Sequence, residues 1–238
     1  VYWPTMLMSA GIELPKTIFA HGWWLMEDEK MSKSAGNVIN PMDLIDDYGV
    51  DSLSYYLMRE MVLGQDANFT IKSFVNRYNS DLANDFGNLL SRITTLINKN
   101  YDGCIPESAT LGEEEDKIKS LSMELVKNFD VNMSNMSINL AIEETLQFIR
   151  NLNRYFERMA PWKLVKQDLS SAGTVLYTGA EALRICSVLL YPIMPKRTKT
   201  LLFVLNTNSI NRNWGGLEPG KILREHTPLF PRINSDSI

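Results

Sequence analysis

The run Glu27-Asp28-Glu29-Lys30-Met31-Ser32-Lys33-Ser34-Ala35-Gly36-Asn37 sets two lysines three apart among small residues, directly after three acids. Two ammonium groups flanking serines can close over a triphosphate and neutralise charge that develops as pyrophosphate departs. Ser32 and Ser34 let backbone N–H groups approach the phosphates, and Gly36 supplies a hinge. The acids can restrain the loop while it is empty. A solvated basic turn is the plainer alternative on spacing alone. A second set is Asn84, Asn88 and Arg92, four residues apart and therefore on one helix face. Amides and a guanidinium in line can hydrogen-bond the edges of unstacked bases. Trp162 follows Pro161 just past a predicted helix end, where a ring can stay exposed and stack on a base. A solvated polar stripe and a packed core tryptophan are the ordinary alternatives for these residues.

Elements must hold these groups in place. The apolar, aromatic stretch 16–26 reads as a strand leading into the lysine run. A short helix follows, with Asn40 as cap, Pro41 in the first turn and Gly49 at the stop. The next helix has Asp51 as its expected cap and Leu53, Tyr56, Leu57 and Met61 on one face. From Ile71 to about Lys99 apolar residues recur at helical spacing (Val75, Leu82, Phe86, Leu89, Ile93), so the Asn/Arg set rides on a long helix. Residues 101–115 read as a loop, followed by a short helix to about Asn132. A long amphipathic helix runs from Ser137 to Met159 and stops at Ala160-Pro161. Residues 174–195 are apolar nearly all round, as in the central helix of a bundle. The Gly- and Pro-rich segment 216–233 predicts no long element. The expected fold class is mainly α: a small mixed piece to about residue 70, then an antiparallel helical bundle.

Composition bounds the rest. The 238 residues are 45% hydrophobic and 22% charged, enough apolar content for a real core. No uninterrupted apolar run of membrane-spanning length is visible, and no secretory signal opens the chain, so neither a membrane nor secretion is expected. Cys104 and Cys186 lie far apart with no metal-knuckle spacing, so the expectation is no metal site, no disulfide framework and a cytoplasmic protein. A net charge of −4 argues against sequence-blind nucleic-acid binding. Charge is uneven, however. Residues 193–238 carry seven Lys/Arg against three acids, whereas residues 107–130 carry seven acids against three lysines. A polyanion partner needs only a local basic patch. The first residue is Val1, which fits an excised or processed chain or one portion of a longer protein.

The five residues Lys30-Met31-Ser32-Lys33-Ser34 are identical to the signature loop of class I aminoacyl-tRNA synthetases. The segments "RYNSDLANDFGNLLSR", "APWKLVKQ" and "HTPLFPRI" further resemble the C-terminal portion of the methionyl-tRNA synthetase family, over essentially the whole chain. The resemblance implies the end of a Rossmann-type α/β catalytic domain with the lysine loop (1–36), a stem-contact region (37–70), a helical anticodon-binding domain (71–225) and a C-terminal tail (226–238). The implied activity is ATP-dependent attachment of methionine to tRNA(Met) through methionyl-adenylate. ATP enters with Mg2+ as substrate. The implied partners are tRNA(Met), methionine, ATP and an N-terminal catalytic half, in a monomer. The family's His-Ile-Gly-His-type motif is not found here, so this portion is not expected to form adenylate alone.

Carried over residue by residue, Lys33 and Lys30 are the catalytic pair, and Lys30, Met31, Ser32, Lys33 and Ser34 close on ATP. His21, Gly22 and Trp24 correspond to residues near the nucleotide, with the backbone of Trp24 meeting adenine. Trp3 corresponds to an aromatic wall of the methionine pocket, where sulfur–ring contact adds attraction. Local hydrogen bonding of a strand-end His21 and plain core packing of Trp3 are the competing readings. Asn88, Arg92 and Trp162 are implied to recognise a CAU anticodon, with Asn84 a weaker member. The acidic segment 108–120 departs from what phosphate contact would favour. Two alternatives differ in class: a stand-alone tRNA-binding module or split subunit, and a class I synthetase for another amino acid.

Overall fold

The computed structural model describes residues 1–26, 39–109 and 111–234, together with the backbone of Glu29 and Lys30. The chain opens with α1 (Tyr2–Ser9), none of whose residues is buried. Strand β1 (Trp24–Met26) pairs antiparallel with β2 (Glu29–Lys30) and parallel with β3 (Ala67–Phe69), giving the order β2-β1-β3. The register sets Leu25 opposite Lys30 and Trp24 opposite Ala67. The strand expected over 16–26 is therefore three residues long. Residues 12–23 have no regular secondary structure, and nearly all of them are exposed. An apolar stretch forms a strand only where a neighbour supplies its ladder, and β3 is short.

Helix α2 (Pro41–Tyr48) starts as expected. Asn40 Oδ1 accepts the Met42 N–H at 3.1 Å, and Pro41 fills the first turn. Gly49, at φ +83°, ends α2 and opens α3 (Val50–Glu60). Asp51 does not cap α3. It is buried, and its Oδ2 accepts the Arg197 N–H at 2.6 Å in the first turn of α10 (Pro195–Val204). That turn has unpaired N–H groups and a positive dipole end, which a buried carboxylate satisfies across the structure.

The bundle begins at α4 (Ile71–Arg77), whose cap Thr70 accepts the Ser73 N–H at 3.0 Å. The chain passes without a break into a π-helical stretch, Tyr78–Gly87, and then α5 (Asn88–Asn100). Next come α6 (Glu113–Ser134), α7 (Ile138–Met159), the single turn α8 (Pro161–Leu164), and α9 (Leu169–Leu190). The expected loop to residue 115 ends earlier, because Glu113–Asp116 form the first turn of α6. Negative side chains suit that end of a helix, and Glu115 reaches back to the Gly112 N–H at 3.0 Å. The helix that follows is 22 residues long rather than short.

Helix α9 has a mean hydropathy of 1.2 and is, among the described residues, the one helix long and apolar enough to cross a membrane. Here 94% of that apolar window is buried, with α5, α6, α7, α8 and α10 packed around it. Its fully buried Glu181–Arg184 pair, 2.7 Å apart, anchors the following loop. Glu181 accepts the N–H groups of Gly215 and Gly216, and Arg184 donates to the carbonyls of Ser209, Asn211 and Asn213. The C-terminal segment returns to the bundle. Leu229 and Phe230 are buried, Tyr78 Oη donates to the Pro231 carbonyl at 2.9 Å, and Asn79 pairs with both backbone groups of Ile233.

Candidate nucleic-acid interface

Helix α5 carries Asn88 and Arg92 on its outer side, while Leu89, Leu90 and Ile93 are fully buried. Gly179 of α9 permits this close seating, since a Cβ there would stand 2.9 Å from Ile93 Cδ1. The end of α7 supplies Phe156 and Glu157. Ala160 then adopts the left-handed region at φ +44°, a costly conformation for a residue with a Cβ. Its N–H still closes α7 on the Phe156 carbonyl at 3.0 Å, and Pro161 starts α8 in a new direction. That reversal carries Trp162 back over α5.

The result is a compact cluster. The Arg92 guanidinium lies 5.3 Å from the Trp162 ring centre and 5.2 Å from that of Phe156, within cation–π range of both. The two rings are tilted, 6.4 Å apart. Arg92 Nη2 donates to Glu157 Oε1 at 2.7 Å. A guanidinium has five donors in a fixed plane, so the pair with Glu157 orients Arg92 and leaves donors for a ligand. Asn88 and Asn84 are exposed, and Trp162 is half-buried with one side against the bundle core. The structure thus joins Arg92 and Trp162 and sets Asn88 one turn away. Phe156 and Glu157, which complete the cluster, were not read from the sequence. Their one available signal is their position beside a predicted helix end.

Behind this face lies a charged scaffold. Asp81, buried in the π-helical stretch, accepts from Tyr55 Oη at 2.8 Å and from Arg150 Nη2 at 3.0 Å. Arg150 also binds Asp85 at 2.9 Å and Glu143 at 3.1 Å, and Glu143 pairs with Arg59. Asn153 donates to the Asp85 carbonyl at 3.0 Å, supplying a partner within the π-helical stretch. Burial, reinforced by Asp81, holds the Tyr55 phenol well above its ordinary range, so it remains a neutral donor. This network ties α3, the π-helical stretch and α7 together beneath the row that leads to Arg92.

Of the other sequence-identified residues, His21, Gly22, Trp24 and Trp3 do not join this cluster. Met31, Ser32, Lys33 and Ser34 lie outside the described residues, and of Lys30 only its backbone in β2 is described. His21 is exposed, precedes the strand, and contacts the Gly22 carbonyl through Nδ1 at 2.7 Å. Gly22 meets the 65–66 backbone so closely that a Cβ would stand 2.0 Å from the Gln65 carbonyl oxygen. Trp24 packs its ring against Tyr56 and Phe69, each at 6.3 Å, at the edge of a small second core. Trp3 is 76% exposed on α1, so it is not core packing in this chain.

Comparison with known proteins fixes the class first. Residues 1–94 match the family of tRNA synthetases class I (M), and residues 105–237 match the anticodon binding domain of methionyl tRNA ligase. The chain is 42% identical to the methionine--tRNA ligase of Bacillus subtilis over 99% of its own length and 37% of that protein. It is 38% identical to that of Mycobacterium leprae, covering all of this chain and 46% of the relative. Its structure superposes on Mycobacterium tuberculosis methionyl-tRNA synthetase in complex with methionyl-adenylate with a TM-score of 0.91, at 36% identity, over 98% of this chain and 47% of that one. The chain belongs to the methionyl-tRNA ligase family. It spans less than half the length of the relatives it matches.

Proposed function

We propose that this chain supplies the lysine loop and the anticodon-reading bundle of a cytoplasmic, monomeric methionine--tRNA ligase. In this reading residues 1–36 end the catalytic domain, 37–70 contact the tRNA stem side, 71–225 read the anticodon and 226–238 close the fold. Methionine, ATP with Mg2+ and tRNA(Met) are the substrates. Lys33 and Lys30, with Met31, Ser32 and Ser34, neutralise the departing pyrophosphate. His21, Gly22 and Trp24 border the nucleotide, and Trp3 borders methionine. The observation that carries the reading is the Arg92–Trp162–Phe156 cluster beside exposed Asn88: a planar donor and an indole ring on one surface, suited to unstacked bases.

A second observation supports the need for a catalytic partner region. Residues 1–23 expose Tyr2, Trp3, Met6, Ile18, Phe19 and Trp23, a concentration of apolar side chains that seeks cover from another part of the enzyme. The decisive experiment compares binding of an anticodon stem-loop carrying CAU with one carrying GAU at fixed low salt. Preference for CAU that disappears in Arg92→Ala supports the reading. Equal binding of the two loops by the full-length protein sinks it. For the lysine loop, Lys33→Ala should depress adenylate formation far more than tRNA affinity, and equal losses in both would refute its role.

A further inference from the structure

A cavity of about 570 Å³ opens where the ends of α6 and α9 meet α10 and the loop 206–212. Sites that take one small molecule typically measure about 300–1,000 Å³. None of Asn88, Arg92, Phe156 and Trp162 lines it, so it is separate from the candidate anticodon site. Buried Phe129, Leu189 and Leu202 form its floor, and exposed Tyr191, Phe203 and Ile210 its rim. Such walls bind an apolar body by removing its surface from water. Three cations complete the lining, Lys199, Arg212 and Arg224, and no acid is among the lining residues. Two acids adjoin it: Asp130 pairs with Arg212, and Glu225 follows Arg224 in the chain.

Arg224 is held in place without being neutralised. Its Nε and Nη2 donate to Asn206 Oδ1 at 3.1 and 2.9 Å, and the Phe203 ring centre lies 4.3 Å from the guanidinium carbon. Asn206 is itself fixed. It follows α10 in the left-handed region at φ +49°, which asparagine tolerates better than most residues. Its Nδ2 donates to the Ile222 carbonyl at 3.0 Å. The partner that orients Arg224 is thus a neutral amide, so the positive charge remains for a ligand. Two of the five guanidinium N–H donors are used there, leaving three in a fixed plane. Lys199, 5.9 Å from the Tyr191 ring centre, has no carboxylate partner among the described residues. A carboxylate is the group that a planar guanidinium fork matches. The same charges disfavour a second copy of this chain, since a two-fold contact would set each cation against the same cations.

We propose that this cavity binds a small molecule with an aromatic body and a carboxylate. The body lies against Leu202 and Phe203, and the carboxylate meets Arg224, with Lys199 adding charge. The assignment does not depend on the anticodon reading. Its test is equilibrium dialysis of 2-naphthoate against the full-length protein with methionine in excess, beside the neutral isostere 2-naphthylmethanol. Naphthoate should bind saturably, and the alcohol about tenfold more weakly. Arg224→Gln should weaken naphthoate about tenfold and leave the alcohol unchanged. Ile210→Glu, at a position 77% exposed and so harmless to the fold, puts a carboxylate on the rim and should also weaken naphthoate. Saturating CAU stem-loop should leave naphthoate binding as it is. Absence of saturable binding below about 1 mM would overturn the proposal. So would equal binding of acid and alcohol, or a naphthoate affinity that neither variant moves. Displacement of naphthoate by the stem-loop would overturn it too, by giving these cations to the RNA.

Discussion

The Arg92 guanidinium is set by two rings and one carboxylate, so its orientation depends on residues 64 to 70 positions away in sequence. Trp162 therefore has two jobs, one face packing the bundle edge and the other part remaining open. Trp162→Ala should cost about 1–3 kcal/mol of anticodon-loop binding through lost stacking. Because the ring is half-buried, it should also lower stability modestly, read as an earlier urea midpoint. Trp162→Phe keeps a ring for both purposes and should recover most of each loss. If Trp162→Ala unfolds the chain outright, the ring is core and its role in recognition falls. The types and spacing of Asn88, Arg92 and Trp162 were legible in the sequence. Phe156 and Glu157 were not, because a left-handed residue at Ala160 decides which way α8 turns, and an alanine gives no sign of that conformation.

At the level of elements, the π-helical stretch is the feature that matters most and that periodicity concealed. Its apolar residues still recur every three to four positions, so the pattern reads as an ordinary helix. What holds the wider turns is Arg150 and Asn153 from α7, reaching Asp81, Asp85 and the Asp85 carbonyl. Arg150→Met should leave buried Asp81 with less compensation and destabilise the protein by about 2–3 kcal/mol, measured by chemical denaturation. It should also weaken CAU stem-loop binding by disturbing the row that leads to Arg92. A variant of unchanged stability would mean that Tyr55 and Arg77, whose Nη1 lies 3.7 Å from Asp81 Oδ2, suffice for Asp81. Asp51 illustrates the same limit. Its place near the start of α3 suggested a local cap, yet the partner it found is α10, 146 residues away.

For the whole molecule, buried phenols set the alkaline limit of stability. Burial raises Tyr55, Tyr155 and Tyr177, the last to about 12, with Asp81, Glu115 and Glu181 respectively adding to the shift. The folded chain then keeps protons that the unfolded chain releases above about pH 10. Stability from these groups is fully present below about pH 10 and is lost as pH rises towards about 12. Buried Cys186, raised by the same desolvation, adds to the decline from a lower starting pH. Urea midpoints should fall steadily over that range, less steeply in Tyr177→Phe. A midpoint independent of pH there would show that these phenols are not shielded in the folded chain.

The sequence by itself determined the lysine signature, the mainly helical class, the Asn40 and Gly49 punctuation of α2, and the apolar faces of α5, α7 and α9. Each of these rests on local chemistry: a side chain capping its own helix, a glycine tolerating positive φ, a repeat near 3.6 residues. The tertiary structure alone decided how long β1 is, which helix Asp51 caps, where the π-helical stretch forms, and that Trp162 comes to lie over Arg92. Those outcomes depend on donors and rings contributed from distant positions. A ladder, a cap or a cation–π contact exists only once packing has brought both partners together, and periodicity in one segment carries no record of the other.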